Sequence, residues 1–240
     1  MREIIVDATR LKTTVPSTHT PNIEIAEGVK LMPLNDLPKV TETPSRYFVV
    51  GGGKTGIDAV IWLLENHVDP DQIHWVCPRD AWLMRRETTQ PDKQFFEMTM
   101  GAQAAQMEAI AGADSIDDLF LKLERAGIFT RINPEIEPTM FHGATISDPE
   151  LAELRRVKNV IRKGRIQRIE PDQIIFDGAT LPNDPDTLFV DCSAAAVSNM
   201  EETEVFQGDT IPFQTVRTVQ PVFSAAFIAH IALTRVTEEE

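Results

Sequence analysis

The sequence contains few cysteines and few basic residues, and each scarcity excludes a class of protein. Its 240 residues include two cysteines, Cys77 and Cys192, so they supply neither a disulfide framework nor a four-cysteine zinc site. Lysine and arginine number 23 against 37 aspartates and glutamates, which gives a net charge of −14. Because an acidic surface repels phosphate backbones, we expect binding neither to nucleic acid nor to an anionic membrane.

Long hydrophobic segments are also missing. No run approaches the ~18 consecutive apolar residues typical of a membrane-spanning helix. The segment Met1–Ala8 lacks the apolar core of a signal peptide, and two unrelated cysteines fit a reducing compartment. With 42% hydrophobic and 25% charged residues, the sequence therefore predicts a globular, cytoplasmic protein.

The hydrophobic pattern predicts strands that alternate with helices. Tyr47–Val50 and Ile73–Val76 are apolar runs of strand length, and Ile57–Glu65 between them has apolar residues at helical spacing. A glycine-rich turn joins the first strand to this helix. Strand, turn, helix and strand together form a βαβ unit, so we expect an α/β fold with a parallel sheet.

Weaker patterns cover the rest of the chain. Ile4–Val6 is predicted as a buried strand, and residues 10–45 as a long, mostly extended connection. Helical structure is predicted over 94–126, with a helix start at Ser115 and a helix stop at Gly127, and another helix is predicted from Asp148. The segments 165–169 and 174–176 are predicted to form a β-hairpin. A strand over 187–191 and a closing helix over 221–232 complete the prediction.

The glycine-rich turn carries the clearest functional signal. Gly51-x-Gly53-x-x-Gly56 matches the dinucleotide fingerprint, in which the first glycine permits a tight turn, the second lets a pyrophosphate approach the backbone and the third lets the helix pack near the strand. The helix N-terminus then meets the phosphates. The predicted cofactor-binding residues of the loop are Gly51, Gly52, Gly53, Lys54, Thr55 and Gly56.

The loop has two interpretations other than dinucleotide binding. A nucleoside-triphosphate loop of the form GxxxxGK[ST] would need glycine at position 48, where the sequence has Phe48, so that interpretation fails. A glycine-rich turn with a purely structural role stays open. Lys54 is expected either to lie near the pyrophosphate of a bound dinucleotide or to be solvated.

Arginines after the second strand favour NADP over NAD. An acidic residue at this place accepts a hydrogen bond from the ribose 2′-hydroxyl, whereas arginine suits the 2′-phosphate. Arg79 lies 23 positions after Gly56, where the selecting residue belongs, and Arg85 follows it. Asp80 is one place further and is interpreted as the partner of an arginine. The alternative is that Arg79 and Arg85 are ordinary surface charges.

With these residues, the chain resembles the two-dinucleotide flavoprotein oxidoreductases, the group of flavin-containing monooxygenases and pyridine nucleotide–disulfide oxidoreductases. Residues 48–58 resemble the opening of that group's NAD(P)H domain, and Arg79 and Arg85 resemble its NADPH-selecting arginine pair. Residues 6–9 and 190–193 are similar to each other and resemble the two strand ends at which the chain leaves and re-enters the FAD domain.

The chain departs from this group in two respects. The group has a separate GxGxxG loop for FAD, and no such loop precedes Gly51; the chain also has no close cysteine pair for disulfide reduction. We therefore expect one NAD(P)H-binding Rossmann-like domain over 45–163, between a partial FAD-domain strand and connection over 1–44 and a return segment of the FAD-type domain over 164–240.

The resemblance implies hydride transfer from NADPH to FAD, with monooxygenase-like chemistry and an unknown small-molecule substrate. FAD is expected only with the reservation that its phosphate loop is missing, and no catalytic residue or metal ligand is identified. The alternatives are a non-enzymatic NAD(P)-binding fragment or sensor, or one chain of a split flavoenzyme. A homo-oligomer and a separate flavin-binding chain both stay open as partners.

Overall fold

The computed structural model describes residues 4–9, 14–194, 203–216 and 220–238, with side chains described up to Thr234. Contacts divide the chain into a terminal unit, Met1–Val15 with Ala195–Glu240, and a central unit, Pro16–Ala194. The sequence-based boundaries after residues 44 and 163 both lie within the central unit.

Strands and helices alternate along most of the described chain. The strands are β1 (Ile5–Asp7), β2 (Glu24–Ile25), β3 (Lys30–Pro33), β4 (Arg46–Val50), β5 (Ile73–Val76), β6 (Leu83–Arg85), β7 (Phe129–Thr130), β8 (Thr145–Ile146), β9 (Asn159–Ile161), β10 (Ile166–Ile169), β11 (Gln173–Phe176), β12 (Ala179–Pro182), β13 (Thr187–Asp191) and β14 (Thr210–Pro212). The α-helices are α1 (Lys54–Glu65), α2 (Phe96–Gly112), α3 (Ile116–Arg125), α4 (Asp148–Leu154) and α5 (Pro221–Glu238).

A five-stranded parallel sheet forms the middle of the central unit, in the order β3-β13-β4-β5-β9. Its three inner strands, β13, β4 and β5, are almost wholly buried because both faces are covered, as is usual for parallel sheets. The chain runs outward from β4 through β5 to β9, then returns to the other side of β4 with β13. This confirms the predicted α/β fold with a parallel sheet.

Each face of the sheet has its own hydrophobic core. On one face, Val49 and Trp75 pack with Ile57 and Leu63 of α1. On the other face, Phe48 packs within a cluster that includes side chains of β10 and β11. The predicted hairpin is confirmed, because β10 and β11 pair antiparallel, and β12 extends it by one strand.

The connection from β5 to β9 is far longer than a single crossover helix. It contains α2, α3, α4 and a small sheet of order β7-β6-β8. Ser115 caps α3 by accepting from the Asp118 N–H at 3.1 Å, as expected, and Gly127 follows the helix at a φ of +71°. The helical structure predicted over 94–126 is confirmed as the two helices α2 and α3, and the second begins at the predicted start, Ser115.

Among the predictions for the first 45 residues, the burial of the first strand was wrong. The connection over 10–45, of which residues 14–45 are described, contains β2, β3 and a 3-10 turn at Leu34–Lys39. The strand at the start is present as β1, but Ile5 and Val6 are each 60% exposed and not buried. β1 pairs in parallel with β14 in a two-stranded sheet of the terminal unit, which also contains α5. Among the described helices, none has the length and apolarity needed to cross a membrane.

Candidate functional site

The predicted dinucleotide loop lies where the strand order of the sheet reverses. It leaves the carboxyl end of β4, which has β5 on one side and β13 on the other. The Gly51 N–H donates to the carbonyl of Val76 at 3.0 Å, and the Cys192 N–H donates to the carbonyl of Val50 at 2.9 Å. Ligands of open α/β sheets bind at such a reversal, outside the carboxyl ends of the strands.

Close backbone approaches explain two of the loop glycines. A Cβ on Gly51 would lie 2.6 Å from the Cys192 carbonyl oxygen, and the φ of Gly51 is +134°. A Cβ on Gly56 would lie 1.9 Å from the carbonyl oxygen of Gly51. Both positions therefore require glycine because of the protein's own packing, which matches the roles expected of the first and third glycine.

A buried tryptophan of β5 forms a hydrogen bond to the loop. The Trp75 indole Nε1–H donates to the Gly51 carbonyl oxygen at 2.8 Å, and the Trp75 side chain is fully buried in β5. A buried indole N–H needs an acceptor, and here the acceptor is the first glycine of the loop. The sequence placed Trp75 in a strand but contained no signal for this contact.

Cys77 connects the loop to the turn after β5. Its Sγ would lie 2.6 Å from a Cβ on Gly52, and its thiol donates to the Arg79 carbonyl oxygen at 3.4 Å. Burial raises the pKa of the Cys77 thiol to about 12, and burial likewise raises the pKa of Cys192. Because a thiolate is the reactive form, both cysteines act as packing groups.

Gly53 differs from the other three glycines. A Cβ at this position would meet nothing within 4 Å, and its backbone, at φ −86° and ψ −175°, is extended and open to any residue. Gly53 is the N-cap of α1 but supplies no side-chain capping bond. Neither packing nor backbone strain within the described chain therefore explains a glycine here.

The N-terminus of α1 is open for hydrogen bonding. Among the described residues, the N–H groups of Gly53, Lys54, Thr55 and Gly56 have no acceptor; the first helical bond runs from the Ile57 N–H to the Gly53 carbonyl. No acidic side chain lies in the first turn. The positive end of the α1 dipole and these N–H donors therefore lie together at the N-terminus of the helix.

The two side chains at the start of α1 are placed differently. The Lys54 ammonium forms an ion pair with the Asp58 carboxylate one turn further along the helix. Thr55 is partly buried. That Lys54 lies beside a pyrophosphate remains a prediction, and in this structure the Lys54 ammonium is paired with the Asp58 carboxylate.

The turn after β5 presents one free arginine and one paired aspartate. Arg79 is exposed, and its guanidinium has no partner among the residues that the structure describes. Asp80 is paired in a two-pronged manner: Arg162 Nε donates to Oδ2 at 2.7 Å and Nη2 donates to Oδ1 at 3.0 Å. The expectation that Asp80 pairs with an arginine is met, by Arg162 from the end of β9.

Arg85 takes part in a different set of contacts. It is the last residue of β6 in the small sheet, and its guanidinium forms an ion pair with Asp148 at the start of α4. Its neighbour Arg86 pairs with Glu150 of the same helix. Both arginines therefore bind α4, and of the two predicted arginines only Arg79 has no partner within the described residues.

The similarity between residues 6–9 and 190–193 has a counterpart in local structure. After β1, the Asp7 Oδ1 accepts from the Thr9 N–H at 2.9 Å and from the Thr9 hydroxyl at 2.7 Å. After β13, the Asp191 Oδ1 accepts from the Ser193 N–H at 2.9 Å and from the Ser193 hydroxyl at 2.6 Å. Both strands therefore end in the same aspartate-centred turn.

Comparison with known proteins gives relatives but no function. No protein-family model matches the chain. The chain is 46% identical over 227 residues to the uncharacterized protein Rv2000 of Mycobacterium tuberculosis and to the uncharacterized protein Mb2023 of Mycobacterium bovis. The match covers 95% of this chain and 42% of each relative, so the chain spans about two fifths of the length of these curated relatives.

Proposed function

We propose that the central unit binds NADPH, with the pyrophosphate at the loop Gly51–Gly56 in a Rossmann-like arrangement. The observation that carries this proposal is Gly53, a glycine that packing does not require. It is the N-cap of a helix whose first N–H groups have no acceptor in the described part of the chain. A missing side chain at that point leaves room for a phosphate group to contact the backbone.

The surroundings of the loop fit a negatively charged ligand. The first turn of α1 has no acidic side chain, so the helix dipole is not opposed locally. Arg79 is exposed in the turn after β5, where the adenosine ribose is expected, and its guanidinium has no partner among the described residues. Arginine binds phosphate oxygens through paired N–H groups, which supports NADPH over NADH as the ligand.

Titration with NADPH tests the proposal. A ligand at 100 times its Kd stabilises a protein by about 2.7 kcal/mol, which raises the Tm of a chain of this size by about 5–10 °C. Gly53→Ser is the informative variant, because the hydroxyl caps the free N–H groups and the side chain fills the open space. We expect Gly53→Ser to keep its Tm within a few degrees and to bind NADPH at least about tenfold more weakly.

Two outcomes would contradict this assignment. One is a wild-type chain whose Tm moves with neither NADPH nor NADH. The other is a Gly53→Ser variant that binds NADPH as tightly as wild type, since the phosphates could not then contact the backbone at Gly53. A variant at an exposed position outside the loop, Arg156→Gln, serves as the control and should bind NADPH normally.

We further propose that the whole protein is a flavoprotein oxidoreductase in which NADPH reduces FAD. The residues of this chain fit one dinucleotide, because the sequence contains a single GxGxxG loop, so we place no step of flavin chemistry on them. The second candidate is an NAD(P)-binding sensor or one chain of a split flavoenzyme. A flavin absorption band in the purified whole protein favours the enzyme; a colourless whole protein that binds NADPH favours the second candidate.

A further inference from the structure

Asp80 lies one residue beyond the position at which an acidic residue would select NAD. It lies in the turn after β5, four positions beyond Val76, the last residue of that strand. In dinucleotide-binding proteins a carboxylate after the second strand accepts a hydrogen bond from the ribose 2′-hydroxyl, and its charge repels a 2′-phosphate. A free Asp80 would therefore oppose Arg79 in the choice of nucleotide.

The structure shows that Asp80 is not free. Both of its carboxylate oxygens accept from Arg162, at 2.7 and 3.0 Å, and the Asp80 side chain is 9% exposed. Arg162 directly follows β9, which pairs in parallel with β5, so neighbouring strands of one sheet hold the two partners. A two-pronged guanidinium–carboxylate pair neutralises the charge and engages both carboxylate oxygens.

The backbone of the turn is held on both sides of the pair. The Arg79 carbonyl oxygen accepts from the Cys77 thiol at 3.4 Å, and the Asp80 carbonyl oxygen accepts from the Thr139 N–H at 3.2 Å. The Asp80 side chain thus points to Arg162, while the Arg79 side chain remains exposed and without a partner among the described residues. Within the part of the chain that the structure describes, the turn presents one unpaired charge, that of Arg79, and it is positive.

We infer that Arg162 is a specificity-determining residue: by binding Asp80 it withdraws the carboxylate from the nucleotide site and leaves Arg79 to select the 2′-phosphate of NADPH. This inference rests on the proposed function. Arg162 acts through Asp80 and is a positioning residue; it needs no contact with the nucleotide. Without Arg162, the same turn carries a free carboxylate beside Arg79 and loses its preference.

The test measures the Kd of the full chain for NADPH and for NADH in four proteins: wild type, Arg162→Gln, Asp80→Asn and the double variant. We expect wild type to prefer NADPH and Arg162→Gln to lower this preference at least about tenfold, which corresponds to about 1.4 kcal/mol. Asp80→Asn should leave the Kd for NADH within about twofold of wild type, because the carboxylate is not used. The double variant should regain most of the preference, because no free carboxylate remains.

A ratio of two affinities separates this role from a merely structural one, since partial unfolding weakens both nucleotides together. Arg156→Gln is the matched control: it removes an exposed arginine paired with Glu153 and should leave the ratio unchanged. If wild type binds neither nucleotide, the proposed function fails. If wild type binds NADPH and the ratio of folded Arg162→Gln stays within twofold of wild type, only the inference about Arg162 is overturned.

Asp80→Asn keeps the inference testable if Arg162→Gln does not fold. If the Asp80 carboxylate accepted a hydrogen bond from the ribose, its replacement by an amide would weaken that bond and raise the Kd for NADH severalfold. That result would overturn the inference, because it would show Asp80 in contact with the nucleotide. An unchanged Kd for NADH together with a retained preference for NADPH supports it.

Discussion

The four loop glycines should tolerate alanine to very different degrees, and the structure ranks them. A Cβ at Gly56 would lie 1.9 Å from a backbone oxygen, and one at Gly51 would lie 2.6 Å from another. At Gly52 the near atom is the Cys77 Sγ, at 2.6 Å, which belongs to a side chain and can rotate. At Gly53 there is no atom within 4 Å.

The expected costs follow from these distances. Gly56→Ala must move α1 relative to the loop by more than about 1 Å to reach an ordinary contact, and overpacking of this kind costs about 3 kcal/mol or more. Gly51→Ala adds backbone strain at a φ of +134° to its contact, for a similar total. Gly52→Ala should cost about 1 kcal/mol. Gly53→Ala loses only a favoured N-cap residue, for less than about 1 kcal/mol.

Thermal unfolding followed by circular dichroism measures this series. For a chain of this size each kcal/mol lowers the Tm by about 2–4 °C. We therefore expect a Tm about 6–12 °C below wild type for Gly56→Ala and Gly51→Ala, and within about 4 °C for the other two. Equal Tm values for Gly56→Ala and Gly53→Ala would refute the packing argument, and with it the claim that Gly53 is the one glycine reserved for a ligand.

Four further predictions concern groups outside the loop. Cys77, whose pKa burial raises to about 12, should not react with iodoacetamide at pH 8 in the folded chain and should react fully in denaturant. Ser147 and Glu150 form a capping box at α4, so Ser147→Ala should lower stability by about 1 kcal/mol in chemical denaturation, and Ser147→Thr should restore it. Burial raises the pKa of Glu150, but hydrogen bonds from Ser147 and Arg86 outweigh burial and lower it. The ionised Glu150 side chain therefore stabilises the fold above the ordinary glutamate pKa, and this stabilisation is lost as the pH falls through the lowered pKa. We expect the stabilities of Glu150→Gln and wild type to converge in strong acid. Arg85→Gln breaks an exposed ion pair and should change the Tm by no more than about 2–4 °C.

Local sequence signals were sufficient for the middle of the fold. The strand β5 begins and ends where predicted, β4 begins one residue earlier and β13 spans the predicted residues. These are apolar runs with clear ends, so each segment specifies itself. Serine and glycine at helix ends likewise located the start of α3 and the turn at Gly127, because capping is a local interaction.

Features that depend on distant partners could not be predicted. β3 is a half-exposed strand with little pattern, and it exists because it pairs with β13 far along the chain. Asp80 and Arg162 are 82 positions apart, and only the adjacency of β5 and β9 brings them together. The same holds for Trp75 and Cys77, whose contacts with the loop arise from the neighbouring strands and leave no trace in the spacing of residues.

The position of β13 also constrains the order in which the sheet can form. β13 lies between β3 and β4, and its pairing with β4 joins residues 141 positions apart, as in the contact from Arg46 to Thr187. On the ribosome, β4, β5 and β9 can associate as they emerge, but β3 has no neighbour until β13 has been synthesised. Closing so long a loop carries an entropic cost and slows folding, so insertion of β13 is expected to be a late step that completes both hydrophobic cores together.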